Sequence, residues 1–221
     1  MSREVYHKEL KKLEKEVVKM AGMASTAITD SIKALKDRDI KTSEAIIKND
    51  ININVMRYEI EEKCLELIAT QQPMAVDLRT LAAILSVITD IERIADHGEG
   101  NAKISLLIGD SPVVKPLIDI PRMTEIAISM LDRCVTAFIE RDAEAARDIC
   151  AEDDKVDELY DQVYRELLLL MIENPKQIEG ATYLIWVAHN IERVADRVTN
   201  IAERVVFMVT GKMEEINVSS Y

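Results

Sequence analysis

Glu192, Asp196, Asn200 and Glu203 follow one another at helical intervals in the last part of the chain. At about 100° per residue they fall within roughly 80° of arc, so a helix would stack their oxygens in one narrow stripe. Glu92, Asp96 and Glu99 lie within about 60° by the same arithmetic. Two further runs could face these stripes from a neighbouring helix: Asp50 with Asn54, and Asp153 with Asp157 and Asp161. Carboxylates and side-chain amides are hard donors, so the chemistry such a pairing offers is cation binding by oxygen ligands. Like charges at i, i+4 cost a helix roughly 0.2 to 0.5 kcal/mol per pair, a cost that a bound cation would offset. The expected metal ligands are therefore Asp50, Asn54, Glu92, Asp96, Glu99, Asp153, Asp157, Glu192, Asp196, Asn200 and Glu203. His189, at about 60° inside the second stripe, could add an imidazole and with it a preference for zinc, nickel or iron. His97 is the weaker candidate. The competing reading is a solvated acidic helix surface. The apolar residues Val187, Ile191, Val194, Val198, Ile201 and Val205 lie at roughly 180° to 260° on the wheel, so the oxygen stripe is expected to face away from the core. Arg93, Arg193, Arg197 and Arg204 run beside the acids, where ion pairing would orient the carboxylates. Tyr183 and Trp186 read as packing residues.

Repetition gives these acids more weight than any single run would carry. Asp90-Ile-Glu-Arg-Ile-Ala-Asp96 and Asn190-Ile-Glu-Arg-Val-Ala-Asp196 agree at five of seven positions, 100 residues apart. Asp50-Ile-Asn-Ile-Asn54 aligns with Asp153-Asp-Lys-Val-Asp157, and Pro73 with Pro175. The elements that must position them are helices. Apolar residues at 3–4 spacing predict segments from Arg3 to about Lys36, Ile40 to Thr70, and Val76 to Ile108, with breaks at Arg38-Asp39 and Pro73. After Gly109 the prolines Pro112, Pro116 and Pro121 mark a linker over 110–121. Helices then follow from about Arg122 to Glu140, Asp142 to Glu173, and Gln177 to Val209. The expected architecture is all-α: two tandem three-helix bundles, 1–109 and 122–221, related by a pseudo-twofold internal repeat. A single six-helix bundle is the alternative.

Composition agrees with helices: 48% hydrophobic and 31% charged residues, with only 6 glycines, 5 prolines and 2 phenylalanines. Forty acidic residues against 28 basic give a net charge of -12, which disfavours nucleic acid and favours cations or basic partners. Cys64, Cys134 and Cys150 form no CxxC and no even-numbered framework, so they are expected to be reduced and buried. The opening Met1-Ser2-Arg3-Glu4 has no apolar leader. The longest apolar run, near Leu167 to Ile172, is far short of the ~18 residues that span a bilayer, so a cytosolic protein without membrane insertion is expected.

The doubled Glu-Arg-Ile/Val-Ala-Asp motif, each copy on the third helix of a three-helix unit, resembles the PhoU family of phosphate-transport regulators. The likeness covers essentially the whole chain and includes Gln72-Pro-Met-Ala-Val-Asp-Leu-Arg79 between the second and third helices. It implies two three-helix bundles, multinuclear metal clusters of iron, or of zinc and nickel, and usually a homodimer. It also implies a negative regulator of phosphate uptake and starvation signalling that acts with the phosphate ABC transporter and, in bacteria, a membrane sensor histidine kinase. Such partners would hold the chain at the inner membrane face. One departure is His97-Gly-Glu-Gly-Asn101, where the family keeps an Asn four residues after the Asp. Two glycines there cost the helix roughly 1 kcal/mol each against Ala, making the first site the less complete.

No catalytic residue is assigned, and the chain reads as a non-enzyme. A carboxylate-cluster metalloenzyme is the alternative because clustered carboxylates with open coordination positions can activate water. It lacks a Gly-rich phosphate loop, a nucleophile elbow and an HExxH to support it. A metal-free helical accessory protein of another phosphate carrier is the third reading.

Overall fold

Apolar residues recurring every three or four positions bury one face of each helix and wind the chain into two three-helix units. The computed structural model describes residues 3–216; residues 1–2 and 217–221, at the outer ends of the two expected units, lie outside the described residues. Helices α1 (Arg3–Asp37), α2 (Ile40–Gln71) and α3 (Val76–Ile108) form the first unit. The second comprises α4 (Asp119–Glu140), α5 (Ala143–Cys150), α6 (Asp153–Glu173), a 3-10 turn (Pro175–Gln177) and α7 (Ile178–Thr210). Among the described residues there is no strand, and no helix is long and apolar enough to cross a membrane.

The boundaries have local causes. The Asp39 carboxylate accepts from the Thr42 amide at 3.1 Å and starts α2, while Gln72 closes it in the left-handed region with its N–H on Ile68 O. Asp142 accepts from the Glu144 and Ala145 amides at 3.0 Å each and starts α5. The linker is strapped down: Lys115 pairs with Glu166 of α6, and the Val114 side chain lies against Gly180. The fourth helix begins at Asp119, three residues before the position expected.

One expected element is broken. The helix anticipated from Asp142 to Glu173 stops at Cys150 and restarts at Asp153. Two hydrogen bonds of 2.8 Å from Arg133 of α4 hold the Glu152 carboxylate at the break. The break tips α5 onto α4 and α7, burying Ala146, Ile149 and Cys150.

α3 and α7 are the central pair. α3 packs on α1, α2 and α7, and α7 packs on α3, α4, α5 and α6, with α1 against α4 closing the junction. One core runs through both units, from Val17, Met20 and Ile28 through Ile84, Ile88 and Ile91 to Ile191, Val198 and Val205. All three cysteines lie free and buried within it. Met20, Met123 and Met130 fill this core as well, whereas Trp186, expected to be a packing residue, is 50% exposed and meets the Tyr183 ring edge-on.

Gly98 sets the spacing of α1 and α3: a Cβ there would stand 3.0 to 3.2 Å from backbone atoms of Ala27 and Ile28. Backbone cannot rotate out of the way as a side chain can. Gly98→Leu is therefore expected to cost about 3 kcal/mol or more despite its better helix propensity, measured as a fall in the denaturation midpoint with helix content retained at low temperature. An unchanged midpoint would show that the α1–α3 contact is not close-packed.

Candidate metal centres

In the second unit α6 contributes Asp153 and Asp157 and α7 contributes Glu192 and Asp196. Val156, Leu159 and Val163 bury the adjoining face of α6, and this turns the i, i+4 acids toward α7. The stripe expected to face solvent is instead partly enclosed: Asp153 is 2% and Glu192 6% exposed, and Asp157 and Asp196 are half-buried. The reason is that α7 has neighbours on most of its circumference, leaving little open face for polar residues.

The electrostatics follow from that enclosure. Burial first, then Asp196 and Asp157, push the Glu192 carboxyl up to about 7, with Arg193 opposing and Asp153 adding to the rise. Burial, then Asp196, Asp154 and Asp161, raises Asp157. Asp196 rises through burial, countered by Arg193, Arg197 and His189. Glu192 Oε2 is buried without a hydrogen bond, and His189 Nδ1 stands 3.2 Å from it outside hydrogen-bonding geometry. Burial and Arg193 lower the His189 pKa, which favours the neutral imidazole that could serve as a donor atom.

Two residues of the second stripe point elsewhere. Asn200 lies beside Asp90 of α3, and Glu203 Oε1 accepts from the Ile216 amide at 2.9 Å while lying near Cys150. The helical wheel placed both on the stripe correctly, but it carried no information about which neighbour each would meet.

In the first unit α2 brings Asp50 and Asn54 to α3, which carries Glu92, Asp96 and Glu99. Asn54 Nδ2 donates to Asp50 Oδ2 at 2.8 Å, leaving Asn54 Oδ1 buried without a hydrogen bond. Burial, then Asp96 and Glu99, raises Asp50. Burial, then Asp96, raises Glu92 against the pull of Arg93 and Arg57. This cluster is more nearly neutralised. Arg93 reaches Asp96 at 2.9 Å and Glu92 at 3.5 Å, and Lys103 reaches Glu99 at 2.6 Å. Three of the four expected ion-pairing arginines lie beside acids, with Arg193 at 3.7 Å from Asp196 and Arg197 at 3.4 Å from Asp90, whereas Arg204 reaches the Met213 sulfur at 3.6 Å.

The donor set of both clusters suits a hard cation, and each holds one buried oxygen that has no hydrogen-bond partner, Glu192 Oε2 and Asn54 Oδ1. Among the described residues, no three His, Cys, Asp or Glu side chains converge closely enough in this conformation to hold one ion. Binding would require side-chain rotations that draw the facing carboxylates together.

Sequence reasoning missed the polar seam between α3 and α7. Asp90 meets Arg197 at 3.4 Å and Asn200, while its repeat mate Asn190 donates to Asn101 at 2.9 Å and stands 3.4 Å from His97. The signal was the repeat itself: the polar residue heading each motif, Asp90 or Asn190, meets the equivalent position of the other motif's helix, Arg197 or His97. The seam also accounts for the irregular His97–Asn101 stretch. A Cβ on Gly100 would come 3.3 Å from Asn190 Nδ2, so a larger residue there would have to displace the Asn190 amide by a few tenths of an ångström.

The PhoU domain family model matches the chain twice, over residues 17–104 and 120–205. The phosphate-specific transport system accessory protein PhoU homolog of Clostridium acetobutylicum is 36% identical over 98% of this chain and all of that protein. The homolog of Aquifex aeolicus is 36% identical over 93% of each. The crystal structure of the phosphate transport system regulatory protein PhoU from Streptococcus pneumoniae superposes with a TM-score of 0.89 at 29% identity, covering 95% of this chain and 99% of that one. PhoU from Pseudomonas aeruginosa gives the same score at 28% identity, over 94% of this chain and 100% of that one.

A carboxyl raised on folding weakens the native state as pH climbs from the ordinary glutamate range to the folded value, because the unfolded chain ionises first. For chelator-treated protein, Glu192→Gln is therefore expected to raise stability on the order of 2 kcal/mol at pH 8 and much less at pH 5. Thermal melts of both proteins at the two pH values check this. A gain independent of pH would place the Glu192 pKa in the usual range.

Proposed function

We propose that this chain, which belongs to the PhoU family, is a regulatory protein of phosphate homeostasis that restrains high-affinity phosphate uptake and starvation signalling. The curated relatives are named accessory proteins of a phosphate-specific transport system, and that naming supports a regulatory rather than a catalytic role here. In this reading the chain works by contact with subunits of the phosphate ABC transporter, and with a sensor histidine kinase where one exists. It sits on the cytoplasmic side of the membrane, held there by partners, and it pairs as a homodimer.

The observation that carries the metal-binding part is the duplication of one arrangement: a helix bearing i, i+4 oxygen donors facing a second helix with two or three carboxylates, once in each unit. Asp153, Asp157, Glu192 and Asp196 would hold ions in the second unit, and Asp50, Asn54, Glu92, Asp96 and Glu99 in the first. The bound cations, iron or zinc and nickel in multinuclear form, would supply positive charge that relieves the mutual repulsion of these acids. Arg93 orients Asp96 through a 2.9 Å hydrogen bond, and Arg193 stands 3.7 Å from Asp196 as a looser counterpart. In this reading the metal acts on structure and on the surface presented to partners.

Two measurements test the reading. Deleting the gene should raise phosphate uptake and starvation-gene expression several-fold in phosphate-replete cells, and unchanged values in both would sink the regulatory role. Elemental analysis of protein purified without chelator should show bound metal, and Glu192→Ala with Asp196→Ala should remove roughly half of it with helix content intact. Equal metal in the variant and the wild type would remove the second cluster from the reading.

A further inference from the structure

The N-terminal half of α1 carries its lysines in one row. With Lys8 as zero on a helical wheel, Lys12, Lys15 and Lys19 fall within about 40° of it and Lys11 within about 60°. Leu10, Leu13, Val17, Ala21 and Ala24, all buried, centre near 180° on the same wheel, so the row points directly away from the core. All five lysines are exposed, and they span about 17 Å of helix. The acids of this segment lie mostly on its flanks and are met there: Glu14 by Arg141, Glu16 by Lys63 at 2.7 Å, and Glu9 by Lys12 at 2.7 Å. Glu4 is the one carboxylate on the row itself. Among the described residues Lys8, Lys11, Lys15 and Lys19 have no ion pair.

Like charges three and four residues apart, as in Lys8, Lys11, Lys15 and Lys19, weaken a helix, and no carboxylate of the described residues relieves these four. The fold does not require the row. α4, the counterpart of α1 in the second unit, is 22 residues long against 35, and its exposed charges are mixed: Arg122, Glu125, Asp132, Arg133 and Glu140. Fields in physiological salt fade over about 8 Å, so the row meets a partner with its own charge rather than with the net -12 of the chain.

We infer that α1 is a membrane-facing helix, on which Lys8, Lys11, Lys12, Lys15 and Lys19 adsorb to the headgroups of an anionic bilayer while the helix lies along the surface without inserting. The composition of the row favours a bilayer over a protein. Protein interfaces are depleted in Lys and anchored by Arg and aromatic side chains, and residues 4–19 place neither on this row. The absence of Arg also disfavours nucleic acid, where its planar fork makes the paired contacts to phosphate and base. A convex helix with a straight line of flexible ammonium groups offers charge and reach but no shape, which is what a laterally uniform anionic plane requires. Val5 and Val18, both exposed on the shoulders of the row, add shallow apolar contact. The contact needs no protein partner, so it is additional to the regulatory reading and independent of it.

The test sediments the purified full chain with vesicles of phosphatidylglycerol in phosphatidylcholine and with vesicles of phosphatidylcholine alone, with and without chelator. The chain should bind only the anionic vesicles, in both conditions, and less as salt is raised. A variant with Lys8→Gln, Lys11→Gln, Lys15→Gln and Lys19→Gln should lose at least about fiftyfold in partition coefficient, since each lysine near such a surface contributes roughly a fivefold factor. Gln is nearly as good a helix former as Lys, so the melting temperature should hold. A second variant removes the same charge elsewhere, through Lys41→Gln, Lys48→Gln, Lys176→Gln and Lys212→Gln, and should bind within about threefold of the wild type. No binding to anionic vesicles, equal binding to phosphatidylcholine, or binding abolished by chelator, which would mean cations bridging the acidic clusters to lipid, would each overturn the proposal. So would equal losses in the two variants, or an α1 variant that binds like the wild type. Row-dependent binding to duplex DNA or to an acidic protein, with none to vesicles, overturns it by assigning the row to that other partner. Because no partner protein is present, failure here leaves the regulatory reading standing, and that reading fails instead through unchanged uptake in the gene deletion.

Discussion

Because α3 and α7 are each packed against three or more other helices, the polar groups they bury must be satisfied from inside the protein. That constraint arranges much of what surrounds them. On the side where the two helices meet, Asp90 is matched by Arg197 and Asn200, and Asn190 by Asn101 with His97 alongside. On their outer sides the acids are matched by helices that carry further acids, α2 and α6. A protein built for stability alone would put Lys or Arg opposite them. Here the facing residues are Asp50, Asn54, Asp153 and Asp157, so burial and repulsion add, and the pKa values of Asp50, Glu92, Asp157, Glu192 and Asp196 all rise.

The two units solve this problem to different degrees. In the first, Arg57, Arg93 and Lys103 oppose the repulsion. In the second, the pairing at Asp196 is looser, Arg193 standing 3.7 Å away. The duplicated motif therefore does not imply duplicated affinity. The second cluster carries the larger uncompensated charge, and a cation would gain more there.

Much of the architecture was legible because helical periodicity and a repeat are local and additive signals. Leu10, Leu13, Val17 and Met20 announce α1, and the doubled Glu-Arg-x-Ala-Asp announces both central helices. What could not be read depends on contacts between elements. The break after Cys150 has no proline or glycine to mark it. It is tied to Arg133 holding Glu152 and to the burial of Ile149 and Cys150 on helices far away in sequence. The oxygen stripe was placed at the right angles but assigned to the surface, since a wheel assumes one apolar face and α7 has neighbours over most of its circumference. Asn200 and Glu203 share that stripe, yet one turns to Asp90 and the other to the backbone of Ile216. A spacing argument finds which side chains share a face; it cannot say which neighbour each will meet.

The broken helix also bears on how a repeat can acquire different roles in its two copies. Two units with the same helix order begin with equivalent grooves between their first two helices. One chain break, at Ala151-Glu152, tips α5 onto its neighbours in the second unit and buries apolar surface there. The first unit lacks the break, so the same groove stays open and its apolar walls stay in water at Ile51 and along Met23 and Ala45. Leaving that surface exposed costs roughly 25 cal/mol per Å², so an open groove is the less stable of the two solutions for an isolated chain.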